Sequence, residues 1–133
     1  MVDTLGIKFG DVTPHRAIAT LPDDPALYNH VGGPHAGALF SLGETASGAV
    51  VLAAFHELLD RVVPLTVQAR ISYRKFAQDT VSATAVLRED RTEIMAELEN
   101  GRRPEFDVAV TIERIDGVVA AEMTVTWTLK PNR

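Results

Sequence analysis

Hydrophobic and polar residues alternate along four segments in the second half of the chain, a pattern typical of strands with one buried face. The segments span residues 65–73, 80–87, 106–112 and 119–129. Their predicted buried sides are Leu65, Val67, Ala69, Ile71 and Tyr73; Val81, Ala83, Ala85 and Leu87; Phe106, Val108, Val110 and Ile112; and Val119, Ala121, Met123, Val125, Trp127 and Leu129. One more strand is predicted over residues 6–21, where Pro14 limits it to an edge or a bend.

Short connections join these strands. Asp116-Gly117 predicts a two-residue hairpin between the last two strands. Ala77–Asp79 predicts a tight turn between the first two. Residues 92–99 predict a short helix, with Thr92 as its cap and Asn100-Gly101 as its stop.

A long apolar helix is predicted over Ala36–Phe55, twenty residues with Glu44 as their only ionisable side chain. The segment is long enough to span a membrane. Its serines and glycines and Glu44 argue against that interpretation, and it is the only long helix available to cover the sheet. We therefore predict an α+β fold in which an antiparallel sheet wraps around one long central helix, as a single domain over residues 1–133.

Composition narrows the possible functions. The 133 residues are 46% hydrophobic and carry a formal net charge of −5, without a basic cluster typical of nucleic-acid binding. The chain has no cysteine, which excludes disulfides and thiolate metal sites. The histidines show no metal-ligand spacing, and the N-terminal residues do not have a secretory-signal pattern. We expect a cytoplasmic protein with no cofactor, no metal and no membrane or nucleic-acid partner.

Glu44 is the candidate chemical group, because a carboxylate in an apolar helix loses hydration that something must compensate. Either it pairs with a cation such as Arg70 or Arg74, or it faces a crevice where chemistry happens. Helical spacing places Gly37, Ser41 and Gly48 on the same stripe as Glu44, leaving room for a substrate or another subunit.

The start of this helix is a candidate site for a developing negative charge. Pro34 suits the helix entry, and the first free N–H groups are expected from His35, Ala36 and Gly37. These groups carry partial positive charge and would stabilise an oxyanion.

The run NHVGGPHAGALFSLGE, residues 29–44, resembles the active-site segment of hotdog-fold acyl-CoA thioesterases, particularly the phenylacetate-degradation type. That family has Asn or Gln, a short loop, His-Gly-Gly, and then Asp or Glu on the central helix. Here His35 follows Asn29 by six positions and Glu44 follows His35 by nine. The resemblance implies the hotdog fold and an acyl-CoA substrate.

The resemblance also assigns roles. Glu44 corresponds to the nucleophile or general base, Asn29 to the group orienting water or substrate, and the N–H of Ala36, with Gly37, to the donor that polarises the carbonyl. Ala36 replaces the family's first glycine and narrows the approach, and Glu44 stands where many relatives have Asp. His35, Ser41 and Gly48 are candidate substrate contacts, although a structural bond to the loop is the favoured role for His35.

Several alternatives remain open at this stage. The chain could be a non-catalytic acyl-CoA-binding or ligand-sensing module on the same scaffold. A hotdog hydratase would need an Asp/His pair that is not found. Five basic residues are candidates for coenzyme A phosphates or simply solvated charges: Arg70, Arg74, Lys75, Arg102 and Arg103. No nucleophile elbow, phosphate-binding loop or dinucleotide fingerprint is present.

The spacing of the site residues predicts a shared site. Ala36 and Glu44 are eight positions apart, about 12 Å along a helix, which is too far for one helix to supply both groups to one carbonyl. Two antiparallel helices related by a twofold axis bring each N-terminus beside the other's Glu44. We expect at least a homodimer, or a dimer of dimers, with sites at the subunit interface.

Overall fold

The computed structural model describes residues 2–29 and 32–132. Within these residues three α-helices and six strands follow one another, with short 3₁₀ turns at Pro25–Leu27 and His56–Leu58. In chain order the elements are α1 (Val2–Leu5), β1 (Lys8–Val12), β2 (Arg16–Leu21), α2 (Ala36–Ala54), β3 (Val62–Tyr73), β4 (Val81–Leu87), α3 (Arg91–Glu99), β5 (Glu105–Arg114) and β6 (Val119–Pro131).

The strands form one antiparallel sheet in the order β1-β2-β4-β5-β6-β3, and α2 packs across its inner face, mainly against β2, β4 and β5. The predicted α+β architecture, a sheet wrapped around one long helix in the hotdog arrangement, is confirmed. Among the described residues α2 alone has the length and composition of a membrane span. In the structure it is the core helix, with Leu42, Ala46 and Val50 fully buried.

The inner faces of β4, β5 and β6 carry the core as the alternation predicted. Val81, Ala83 and Ala85 of β4 are fully buried, and the predicted sets on β5 and β6 are buried beside them, with only Val119 and Trp127 partly exposed. Because these strands lie in the middle of the sheet under α2, every second side chain meets the helix.

The N-terminal segment is two strands, not the single strand predicted over residues 6–21. β1 and β2 pair antiparallel around a bend that contains Pro14. The hydroxyl of Thr13 accepts hydrogen bonds from the N–H groups of His15 (3.2 Å) and Arg16 (3.1 Å), which fixes the reversal. Pro14 does fall at a bend, as expected, because proline has no N–H for a ladder bond.

The predicted buried side of β3 is wrong at its N-terminal end. A bulge between Thr66 and Gln68 inserts Val67 without a partner on β6, which inverts the alternation. Leu65 therefore lies on the outer face, aligned with Thr128, whereas Ile71 lies on the inner face, aligned with Met123. β3 is also an edge strand, so its apolar side chains stay open: Leu65 is 39% exposed, Val67 47% and Tyr73 49%.

Two predicted connections differ in detail. β5 and β6 form the expected hairpin, but its loop has three residues, closed by bonds from Arg114 N–H to Val118 O and from Gly117 N–H to Arg114 O, both 2.9 Å. Gly117 has a φ of +86°, which suits the last position of such a loop. Residues 74–80 do turn at Asp79, with a φ of 57°, but they cross from the edge strand β3 to β4, which do not pair.

The cap of α3 is Asp90, not Thr92, because the Asp90 carboxylate accepts a hydrogen bond from the Thr92 N–H at 2.8 Å. Asn100 ends this helix as predicted. Arg91, the first residue of α3, donates to the carbonyl of Ala54 at the end of α2 and pairs with Glu57. A guanidinium at that position satisfies a free carbonyl and opposes the negative end of the α2 dipole.

Candidate functional site

Glu44 lies in the middle of α2 on its open side, half-buried. Within residues 2–29 and 32–132 its carboxylate makes no ion pair and no hydrogen bond. Its backbone carbonyl accepts the Ser47 hydroxyl at 2.8 Å. The carboxylate therefore projects from the core helix with no cation paired to it among the described residues.

The alternative in which Arg70 or Arg74 neutralises Glu44 is not what the structure shows. Arg70 is aligned with Thr124 on the outer face of the sheet, and the sheet itself separates it from the helix. Arg74 pairs with Glu122 at 2.9 Å.

The start of α2 leaves one backbone donor open. The His35 N–H donates to Leu27 O at 2.8 Å, and the Gly37 N–H donates to the Nδ1 of His35 at 3.2 Å. The Ala38 N–H is bonded to His35 O at 2.9 Å. In the described part of the chain no hydrogen bond engages the N–H of Ala36, an exposed residue. Of the three N–H groups expected to be free, only that of Ala36 is without a partner among the described residues.

His35 has the structural role that was one of its two predicted roles. Its Nδ1 caps the helix by accepting a hydrogen bond from the Gly37 N–H. The imidazole remains exposed beside the helix start, where it can also meet a substrate.

The same helix start is tied to β3 by Tyr73, a contact that the sequence did not reveal. The Tyr73 hydroxyl donates to the Ala36 carbonyl at 3.1 Å. Partial burial of this hydroxyl raises the pKa of Tyr73 above its usual value, so the phenol stays a donor over a wider pH range. Tyr73 thereby holds the first turn of α2 against the edge strand.

Asn29 lies in the loop before α2 and organises it. Its Oδ1 accepts the Gly33 N–H at 3.3 Å, and its own N–H donates to Gly33 O at 2.7 Å. Gly33 is buried against the crossing loop, where an added Cβ would lie 2.2 Å from the carbonyl oxygen of Ala77. His30 and Val31, between these residues, lie outside the described part of the chain.

The predicted small-residue stripe of α2 is open or half-open at all four positions, Gly37, Ser41, Glu44 and Gly48. Part of the space beside Gly48 is filled by the same chain, since a Cβ added at Gly48 would lie 3.7 Å from the Trp127 indole. The Trp127 Nε1 donates to the Ser47 hydroxyl at 3.2 Å, so this ring packs beside the stripe and links β6 to α2.

A cleft of about 470 Å³ opens beside the start of α2. Gly37 and Ser41 of the stripe line one side, together with His35 and Ala38. The other side consists of Leu5, Ala26, Leu27 and Tyr28. The sequence contained no local signal for it, because its walls come from three separate segments: Leu5, the turn at residues 26–28 and the start of α2.

The five basic residues proposed for coenzyme A phosphates are all exposed. Arg70 and Arg74 line a polar cleft on the outer face of the sheet with Arg88 and Glu122, and Arg102 lies 3.7 Å from the carboxylate of Glu97. In the described residues no group of three or more His, Asp or Glu side chains is arranged to hold a metal ion.

Comparison with known families places the chain. A family model described as a domain of unknown function, DUF4442, matches residues 1–129. The chain belongs to the DUF4442 family. No curated protein matches it.

Solved structures share its fold. A Pseudomonas aeruginosa protein of unknown function, described as a probable thioesterase, superposes with a TM-score of 0.89 at 24% identity, over 98% of this chain and 87% of that one. A thioesterase family protein from Silicibacter pomeroyi gives 0.79 at 22% identity, over 98% and 89%. A conserved protein from Pseudomonas aeruginosa gives 0.77 at 23% identity, over 96% and 91%. At these identities the likeness shows the hotdog fold.

Proposed function

We propose that this DUF4442 protein is an acyl-CoA thioesterase in which Glu44 acts on the thioester carbonyl. The observation that carries the proposal is the half-buried Glu44 carboxylate, which has no ion pair among the described residues, on the open face of the core helix. As general base it would remove a proton from water, which attacks the carbonyl and releases the acid and the thiol of coenzyme A. As nucleophile it would attack the carbonyl carbon and expel the thiolate of coenzyme A, which leaves a mixed anhydride; water would then hydrolyse the anhydride to the free acid and regenerate the Glu44 carboxylate.

Two structural relatives support this reaction class, since one is described as a probable thioesterase and the other as a thioesterase family protein. Within hotdog thioesterases we propose the phenylacetate-degradation type, on the spacing of Asn29, His35 and Glu44. Asn29 would orient the water or the substrate through its amide group.

The carbonyl needs a donor, and the Ala36 N–H is available for it at the positive end of α2. Both groups belong to one helix, about 12 Å apart along its axis. A carbonyl held within about 3 Å of the Ala36 N–H is therefore out of reach of the same chain's Glu44. We propose that the working unit is a homodimer in which Ala36 of one protomer serves the same carbonyl as Glu44 of the other.

The open surface of the chain fits such a partner. The inner face of β3 carries Ala69 and Ile71 half-buried, and the stripe of α2 beside it consists of small residues. A second copy packed here would cover apolar side chains and bring two α2 helices side by side, because small residues allow a close approach. A cytoplasmic location remains part of the proposal.

The first test is steady-state release of thiol from a panel of short, long and aryl acyl-CoAs. Turnover supports the thioesterase, whereas saturable binding of acyl-CoA without turnover would replace it by a non-catalytic binding module.

The shared site is tested by complementation. Glu44→Gln removes the base, and Gly37→Trp blocks the helix start, where an added Cβ has His35 as its nearest neighbour at 3.6 Å. Each variant alone should be inactive, and mixed dimers should regain one working site. An active monomer by light scattering at assay concentration, or no rescue despite demonstrated subunit exchange, would overturn the shared site.

A further inference from the structure

The cleft beside the start of α2 has a wall fixed to the proposed carbonyl site. Leu27, on that wall, accepts the His35 N–H at 2.8 Å through its backbone carbonyl. His35 directly precedes Ala36, whose N–H is the proposed carbonyl donor. The distance between the cleft wall and a carbonyl bound at Ala36 is thus set by one backbone hydrogen bond and does not depend on a mobile side chain.

The lining of the cleft favours apolar ligand groups over polar ones. Leu5, Ala26, Leu27 and Ala38 contribute apolar surface. Of the polar side chains in the lining, two already have hydrogen-bond partners: the Tyr28 hydroxyl donates to the Asp23 carboxylate, and the Nδ1 of His35 accepts from Gly37. The Ser41 hydroxyl is the third polar group in the lining. A ligand with several polar groups would lose more hydrogen bonds to water here than the Ser41 hydroxyl could replace.

This lining distinguishes between the two parts of an acyl-CoA that reach past the thioester. The pantetheine arm contains two amides, which need hydrogen-bond partners, whereas an acyl chain or an aryl ring needs only apolar contact. The size also fits: apolar cavities of about 150 Å³ hold a benzene ring, and this cleft is about 470 Å³.

We infer that this cleft receives the apolar acyl or aryl group of the thioester, and that Ala26 and Leu27 set the length it accepts. The inference rests on the proposed thioesterase function and names its substrate subsite. Ala26 is exposed on the cleft wall, and its N–H is held by the Asp24 carboxylate at 3.0 Å, so a larger side chain can be added there without disturbing the core. Leu27 is half-buried in the same 3₁₀ turn.

The test uses Ala26→Phe to fill the cleft and Leu27→Ala to enlarge it. Ala96→Phe is the matched control, because Ala96 is an exposed alanine on α3, outside the cleft lining. The kcat/KM of each variant is measured for straight-chain acyl-CoAs of increasing length and for phenylacetyl-CoA. Binding of the free straight-chain carboxylic acids and of free coenzyme A is measured separately by calorimetry.

Ala26→Phe should lower kcat/KM for the longest accepted chain by about tenfold or more for each methylene that it excludes. Acetyl-CoA should change by less than about twofold, since its methyl group does not reach the filled part. Leu27→Ala should move the optimum toward longer chains, and Ala96→Phe should leave the profile unchanged. Affinity for free coenzyme A should be the same in all variants.

The outcomes distinguish a failure of the acyl subsite from a failure of the proposed thioesterase function. Turnover with an unchanged chain-length profile in both cleft variants would overturn the acyl subsite and leave the thioesterase standing. Absence of turnover, with acid binding weakened by Ala26→Phe but not by Ala96→Phe, would overturn the enzyme and keep the acyl cleft. Should Ala26→Phe fail to fold by circular dichroism, the opposite shift expected for Leu27→Ala decides the question. Loss of coenzyme A affinity in Ala26→Phe would reassign the cleft to the pantetheine arm.

Discussion

Replacement of Glu44 by glutamine separates a catalytic carboxylate from a structural one, because the two predict opposite results for stability and rate. The change keeps the size of the side chain and removes its charge and basicity. Breaking a buried ion pair costs about 3–5 kcal/mol, but within the described residues Glu44 has no such partner. Its half-exposed amide can be solvated, so the free energy of unfolding should change by no more than about 0.5 kcal/mol.

The effect on rate should be far larger. Loss of a general base lowers kcat by about 10²–10⁴, which corresponds to about 3–5 kcal/mol of activation free energy. Thermal unfolding and thiol release are measured on the same purified protein at the same concentration. Glu99→Gln, an exposed carboxylate at the end of α3, is the control and should change neither quantity.

Two results would refute the reasoning. If the Glu44→Gln variant retains more than about half of the wild-type kcat, Glu44 is not the general base. If the variant instead loses about 2 kcal/mol or more of stability, Glu44 has a structural partner. A loss of that size lowers the melting temperature of a chain of this length by several degrees.

Three further substitutions test the surroundings of the site. Asn29→Ala should lower kcat more than it weakens substrate binding; a fall in melting temperature with unchanged kcat would show that the bond to Gly33 is its whole role. Gly33→Ala should cost about 1–3 kcal/mol in denaturant unfolding, because its Cβ meets the Ala77 carbonyl; Gly37→Ala is the control and should cost nothing, so equal losses would contradict the close approach. Tyr73→Phe should cost about 0.5–1.5 kcal/mol and lower kcat with little change in KM; an unchanged kcat would mean that the Tyr73 bond to Ala36 does not position the helix start.

The central part of the fold could be predicted from periodicity because its strands are shielded by one helix. On β4 and β5 every second residue faces α2, so burial follows the sequence pattern directly. In the edge strands, the alternation of the sequence no longer predicts which side chains are buried. β3 contains a bulge at Val67 that no residue type in the segment signals, and the apolar side chains of Val63, Leu65 and Val67 are exposed. The short β1–β2 reversal depends on hydrogen bonds to the Thr13 hydroxyl, which alternation does not record.

The candidate site, too, could be predicted from the sequence only in part. The position of Glu44 on an apolar helix is a property of the local sequence, and it was predicted. The alternation of β3 already placed Arg70 on the polar face, but the pairing of Arg74 with Glu122 is seen only in the structure. Likewise, the spacing predicted several free N–H groups at the helix start, but the side chain of His35 occupies the one on Gly37 and leaves that of Ala36.

The open edge of the sheet lies beside the proposed shared site, since Tyr73 of the edge strand β3 donates to the Ala36 carbonyl at the start of α2. β3 is twelve residues long and unpaired on one side within the described chain, and its exposed apolar side chains include Leu65 and Val67. Long apolar edges are normally protected against uncontrolled pairing. A second copy of the chain would cover this region and supply the missing half of the site in one step. Stability and activity would then depend on the same association, so both should fall over the same range of protein concentration on dilution. If activity persists at dilutions where light scattering shows only monomers, each chain contains a complete site, and the open face has another purpose.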